Sequence, residues 1–250
     1  MPRILPPGGE VDWPREEGTL GVVGVAPWAT VEFLRALYGQ VRATKDWHYP
    51  RVLLDANSKI PSRGRHLQLG ETDPSGAIAA TIAELAAQGA TVAVVLCNTA
   101  HLLFERWSRG APIPVLHIVD ETVAIAASQG ARSAVAFTSS SLAQSDLYGR
   151  MAAGRGFRCA RPTPPEQKLV DEIIASVKVS GSFERGQADR LGAVLARLSA
   201  EEVDTVIAGC TELTGIASLC DDAALRVVDS NVALARAALG RLNLSSERKP

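Results

Sequence analysis

The chain lacks the features that mark several large functional classes. Its 250 residues include four cysteines, Cys97, Cys159, Cys210 and Cys220, and no two of them form a Cys-x-x-Cys pair. That spacing argues against a zinc knuckle or a dense disulfide framework, and a reducing cytoplasm that keeps the thiols free is the natural expectation. There is no surplus of charge: 26 Lys and Arg stand against 27 Asp and Glu, a net charge of −1, and the basic residues are dispersed. Such a chain offers no global field to nucleic acid or an anionic membrane, so neither is expected as a partner. No apolar stretch approaches the roughly 20 residues that span a bilayer. The opening segment, dense in Pro and Gly, lacks the apolar core of a signal peptide. Residues 1–18 read as a flexible leader and 243–250 as a flexible tail. A dinucleotide loop is also missing. Gly21-Val22-Val23-Gly24-Val25-Ala26-Pro27 lacks the G-x-G-x-x-G spacing, and Pro27 removes an N–H where phosphate needs one. A tight strand-to-helix turn is the better reading.

What is present is alternation. Short apolar or β-branched runs over 20–25, 51–54, 91–96, 112–116, 133–137, 203–208 and 224–228 read as strands. Between them lie helical stretches over 29–42, 74–88, 101–108, 119–129, 142–153, 165–179, 184–198 and 231–242, with a polar loop over 57–73. Strands alternating with helices indicate an α/β fold of parallel sheets joined by right-handed crossovers. Ligands in such sheets bind beyond the carboxyl ends of the strands.

Two short motifs fall at such ends: Cys97-Asn98-Thr99-Ala100-His101 and Gly209-Cys210-Thr211-Glu212-Leu213. One strand-end cysteine is ordinary core. Two in matching contexts, one in each half of the chain, suggest paired thiols on a common cleft. Both precede helical sequence, where the macrodipole and free N–H groups favour a thiolate. Two close thiols titrate as a coupled pair, so a thiolate/thiol form suits a two-base exchange of an α-proton. Asn98, Thr99 and Thr211 can donate to a substrate carboxylate and to the enolate charge that develops. A zinc site from Cys97, His101 and Cys210 is a weaker alternative, without a Cys-x-x-Cys or His-x-x-x-His partner. Cys159 and Cys220 lack these settings and read as structural.

These residues resemble the aspartate/glutamate racemase family, most closely its aspartate racemase branch, from Thr19 to about Leu242. CNTAH and GCTEL match the family's two catalytic signatures. Asn57-Ser58-Lys59-Ile60-Pro61-Ser62-Arg63 is similar to its Asn-x-x-Ile-Pro-x-Arg stretch, and Val177-Lys178 to a Val-Lys pair. The opening GVVGVAPWAT departs from the family's Met-Gly-Pro turn, being one residue shorter and without the methionine. The resemblance implies a racemase of acidic amino acids that needs neither pyridoxal phosphate nor metal, with Cys97 and Cys210 catalytic. It implies substrate contacts from Asn57, Arg63, Lys178, Thr138, Ser139 and Glu212 beside those from Asn98, Thr99 and Thr211. Arg63 and Lys178 are the carboxylate-binding cations of that scheme. It further implies two similar α/β domains, each a parallel sheet flanked by helices, with the active site in the cleft between them. The first domain spans 19–116 and is completed by 225–242, the second spans 117–224, and a homodimer is expected. Competing readings are glutamate or another acidic amino acid as substrate, a diacid isomerase on the same scaffold, and a non-catalytic sensor of acidic amino acids.

Overall fold

The computed structural model describes residues 18–223 and 225–244. The expected leader and tail lie outside these, apart from Gly18, Asn243 and Leu244. Among the described residues the strands form two parallel sheets, of three and of four strands.

The first sheet contains β1 (Thr19–Val23), β2 (Arg51–Asp55) and β3 (Val92–Val95) in the order β2-β1-β3. Its helices are α1 (Pro27–Gly39), α2 (Arg63–Leu69), α3 (Ser75–Ala87) and α4 (Phe104–Ser108). The second sheet contains β4 (Ser133–Phe137), β5 (Arg158–Ala160), β6 (Thr205–Ala208) and β7 (Arg226–Asp229) in the order β5-β4-β6-β7. Around it run α5 (Ile118–Ser128), α6 (Ser140–Ser145), α7 (Leu147–Ala153), α8 (Pro164–Ser180), α9 (Arg185–Ala200), α10 (Ala217–Asp222) and α11 (Ser230–Arg241). In each sheet the first strand is central and the third lies beside it, so β3 and β6 occupy equivalent places. Cys97 and Cys210 follow these two strands.

The strands β1, β3 and β6 are buried from end to end, as strands covered on both faces should be. One continuous core lies between the sheets. It joins Leu20, Val22 and Val94 of the first to Ala136, Ile207 and Val228 of the second through Phe33 of α1, Val123 of α5 and Leu234 of α11. Separate cores cover the outer faces, with Ile78, Ile82 and Trp107 on the first sheet and Leu169, Ile173 and Leu195 on the second.

Several elements differ from the sequence expectation, each for a physical reason. The strand expected over 112–116 is reduced to one bridge, Ala93 with Val115, because Pro112 and Pro114 cannot donate to a ladder. The helix expected over 142–153 breaks at Asp146, whose φ of 54° is left-handed. The polar loop over 57–73 contains α2, whose cap Ser62 accepts from Arg65 N at 3.4 Å and which ends on left-handed Gly70. Strand β5, only three residues long, carried no visible run. The segment 225–242 divides: β7 pairs with β6 and so belongs to the second sheet. Helix α11, which follows, packs against both α1 and α5.

Candidate active site

Cys97 leaves β3 half-buried, and the chain turns at once into a 3-10 helix, Thr99–Leu103. His101 fixes this turn. Its Nδ1 lies 2.9 Å from the Cys97 carbonyl, which can only accept, so that nitrogen carries the proton. The ring stacks on Phe104 at 5.6 Å and meets Trp107 and His117 edge-on at 5.1 and 4.8 Å. Burial, aided by His117, lowers its pKa to about 3, so it is a neutral prop behind Cys97 rather than a titrating group.

Cys210 follows β6 into another 3-10 helix, Thr211–Ile216, and is buried. Its Sγ donates to Glu212 Oε2 at 3.0 Å, and Thr211 Oγ1 donates to the same oxygen at 3.0 Å. The expected thiolate-favouring helix start is therefore not what governs Cys210. Burial first, and the Glu212 carboxylate second, push its pKa well above the ordinary thiol range, with Lys178 opposing. Cys210 rests as a thiol. Cys97 lies close enough to act on it electrostatically.

The two halves are tied together around these thiols. Thr99 and Ser139, from different sheets, share a hydroxyl–hydroxyl hydrogen bond of 2.7 Å. Asn98, buried beside Cys97, accepts from the Tyr148 hydroxyl at 2.7 Å and donates to Ser230 Oγ at 3.0 Å. Burial raises the Tyr148 pKa, which keeps it a phenol and therefore a donor. Asn231 donates to the Thr211 carbonyl at 3.1 Å and to Thr214 Oγ1 at 2.9 Å. Thr138 is buried, and its carbonyl accepts from Gln167 Nε2 at 2.8 Å. Gly209 has no room for a side chain: a Cβ would lie 2.7 Å from Thr138 Cγ2 and 2.8 Å from Tyr148 Cε2.

Tyr148, Ser230 and Asn231 escaped the sequence reading. Ser230 and Asn231 had a signal, since Asp229-Ser230-Asn231 directly follows a strand and Asp229 caps α11 through bonds to Asn231 N and Val232 N. Tyr148 had none, being one aromatic within a helical stretch.

The cations are placed less uniformly. Lys178 is exposed near the last turn of α8. Although the residue as a whole is exposed, the protein around its ammonium partly desolvates it, which works against its charge; Glu212, Cys210 and Cys97 offset this and hold the ammonium above its usual pKa, with Arg63 opposing. Lys178 thus reaches both thiols and Arg63 electrostatically. Arg63, the first residue of α2, donates through Nη1 to the Ile60 and Pro61 carbonyls at 3.2 and 3.1 Å, while its Nε is buried without a partner. Asn57 Oδ1 accepts from Lys59 N at 3.0 Å, so that amide shapes its own loop. The altered opening turn also reaches this region. Trp28 Nε1 donates to the Val179 carbonyl at 3.4 Å, and its ring fills the space over Gly181, where a Cβ would come within 2.6 Å of it.

Among the described residues no helix is long and apolar enough to cross a membrane. The chain is 25% identical over 209 residues to the broad specificity amino-acid racemase RacX of Bacillus subtilis, covering 82% of this chain and 86% of that one. An aspartate racemase of Picrophilus torridus shares the fold with a TM-score of 0.81, at 24% identity over 90% of this chain and 94% of the other. Glutamate racemase isoform RacE1 of Bacillus anthracis does so with a TM-score of 0.61, at 16% identity over 94% and 86%. The family model for Asp/Glu/Hydantoin racemase matches residues 21–238. This chain therefore belongs to the Asp/Glu/Hydantoin racemase family, a family of isomerases.

Proposed function

We propose that this enzyme interconverts L- and D-aspartate by a two-base exchange between Cys97 and Cys210. The observation that carries the reading is the approach of two free thiols from equivalent strand ends, with the Lys178 ammonium acting on both. In one direction the Cys97 thiolate removes the α-proton, and the electron pair passes into the α-carboxylate as an enediolate. Cys210 then delivers its S–H proton to the opposite face and is left as the thiolate. Its raised pKa suits this acid role. Asn98 retains an amide N–H beyond its bond to Ser230, and Thr138 and Ser139 lie at a strand end, so these donors are assigned to the α-carboxylate and the developing charge. Lys178 and Arg63 are assigned to the side-chain carboxylate. Glu212 moves from the substrate-contact role that the sequence suggested to control of the Cys210 proton, through its bond to that thiol. A homodimer in the cytoplasm completes the proposal.

The test is incubation with each enantiomer of aspartate and glutamate in D₂O. Deuterium at Cα with loss of chirality is expected for aspartate; binding without exchange sinks the reading. A broader amino-acid range is the second reading, favoured by the similarity to RacX. Lys178→Met separates the two. It is expected to raise KM for aspartate on the order of tenfold or more, as loss of a charge-assisted contact does, and to raise KM for alanine, which has no side-chain carboxylate, far less, whatever the common change in kcat.

Glu212 supplies a pH prediction. The active form holds one proton across the two thiols, so activity falls on the alkaline side when the second proton is lost. Glu212→Gln removes the carboxylate that raises the Cys210 pKa. The alkaline limb of kcat/KM should move to lower pH. The shift should be equal in both directions, since enantiomers have an equilibrium constant of unity. An unmoved limb refutes control of Cys210 by Glu212.

A further inference from the structure

A second concavity lies beside β5, at the edge of the second sheet. It has a volume of about 710 Å³ and is bordered by Arg161, Asp146, Gln144, Gln167, Ser140 and Cys159. A smaller space of about 10 Å³, which shares Asp146, Cys159 and Arg161 with it, is bordered by Thr138 and Tyr148. The larger space falls within the size range of small-molecule sites. Neither catalytic cysteine borders either space.

Opposite charges line this cavity without pairing. Arg161 and Asp146 both border it, yet neither makes an ion pair among the described residues. Asp146 holds a left-handed φ of 54°, uncommon for a residue with a Cβ. Its carboxylate lies over Gly149, where a Cβ would come within 2.4 Å of Oδ1. Backbone outliers of this kind cluster at ligand sites. A third observation concerns Gln167. Its Nε2 donates to the Thr138 carbonyl at 2.8 Å and to Asp171 Oδ1 at 3.2 Å. Both partners only accept, which fixes the amide orientation and leaves Oε1 buried without a donor. Cys159 takes no covalent part. Burial, with Asp146 nearby, raises its pKa to about 12, so the sulfur is a neutral wall.

We propose that this cavity is a second binding site, taking a small amino-acid zwitterion with its carboxylate on Arg161 and its ammonium on Asp146. A simple anion would meet the Asp146 charge, and a simple cation the Arg161 charge; a dipolar ligand satisfies both. Ala143, Ala160, Pro162 and Pro164 give its side chain an apolar wall. Occupancy bears on Gln167 and, through its bond to the Thr138 carbonyl, on the loop at the end of β4.

The probe is α-aminoisobutyrate, a zwitterion with no α-hydrogen to exchange, titrated calorimetrically into the full chain. All titrations use a background of Ser139→Ala, which removes a donor assigned to the α-carboxylate in the catalytic cleft; Ser139 borders neither space. Binding is expected in that background, with a Kd about tenfold or more higher when Arg161→Ala is added, as for loss of one charge-assisted contact. Asp146→Asn, which keeps the left-handed tolerance, should weaken binding similarly. Acetate, lacking the ammonium, should bind about tenfold more weakly than the zwitterion. No binding, binding unchanged by Arg161→Ala or Asp146→Asn, or acetate binding equally well would each overturn the proposal. Arg161 is exposed, and circular dichroism of each variant checks that the fold is intact.

Discussion

Cys97→Ser and Cys210→Ser are each expected to lower aspartate racemisation by on the order of 10³-fold, the scale of losing a positioned acid or base. Serine keeps the size and the hydrogen bond but cannot become an anion near neutral pH. The remaining cysteine still faces one side of the α-carbon. Each variant should therefore exchange deuterium into one enantiomer without inverting it, and the enantiomer should differ between the two. The Cys210→Ser variant should retain the faster residual exchange. In Cys97→Ser the surviving thiol, Cys210, is held protonated by burial and Glu212. Proton NMR of each pure enantiomer in D₂O reads loss of the α-proton separately from loss of optical rotation. Full activity in either variant refutes the two-base scheme, and equal exchange into both enantiomers by one variant refutes the facing arrangement.

Trp107→Ala is expected to cost about 3–5 kcal/mol of stability, the usual range for deleting a large, fully buried aromatic. Trp107 is 1% exposed, packs in the outer core of the first sheet and donates its Nε1–H to the Ala100 carbonyl at 3.0 Å. Two losses combine: a cavity beneath α4, and a carbonyl left without its donor in the turn that carries Cys97. The urea midpoint should fall accordingly with the slope unchanged. Trp107→Phe fills most of the cavity but restores no donor, so it should recover more than half of the stability. A loss below about 1 kcal/mol for the alanine variant would show that the ring is not packed as described. The aromatic group of Phe104, Trp107 and His117 around His101 gives this variant a catalytic consequence too. Loosening it frees the His101 ring, and kcat should fall at temperatures where the protein is still folded.

Elements with a strong local signal were legible from the residues. Strand Ser133–Phe137 lies where its apolar run predicts, and both cysteines lie at strand ends. Helix α8 starts at Pro164 behind a capping box of Thr163 and Glu166, a local device that any reading of sequence can find. Elements without local signal were not legible. Strand β5 has three residues and exists because β4 offers it an edge. The break at Asp146 has no glycine or proline to announce it. The assignment of β7 to the second sheet depends on which strand it finds as a neighbour, which is a property of the assembled sheets and not of Arg226–Asp229 alone.

The candidate site divides along the same line. The candidate thiols were readable because chemistry restricts which side chains can serve: the proposed proton exchange needs two titratable groups at comparable positions, and CNTAH and GCTEL each place a cysteine at a strand end. Their electrostatics were not readable. The sequence pointed to helix starts that favour a thiolate, whereas in the fold burial and Glu212 keep Cys210 protonated. Charge stabilisation depends on distance and solvent exposure, and residues far apart in the chain fix both. Tyr148 and Ser230 hold Asn98 across separations of 50 and 132 residues, and no local pattern encodes such contacts. By itself the sequence determined the α/β class, the family and the pair of thiols, since these rest on local periodicity and on residue type. Only the tertiary structure decided that Cys210 keeps its proton and which residues position the amide beside Cys97, because those depend on burial and on contacts made after the chain has packed.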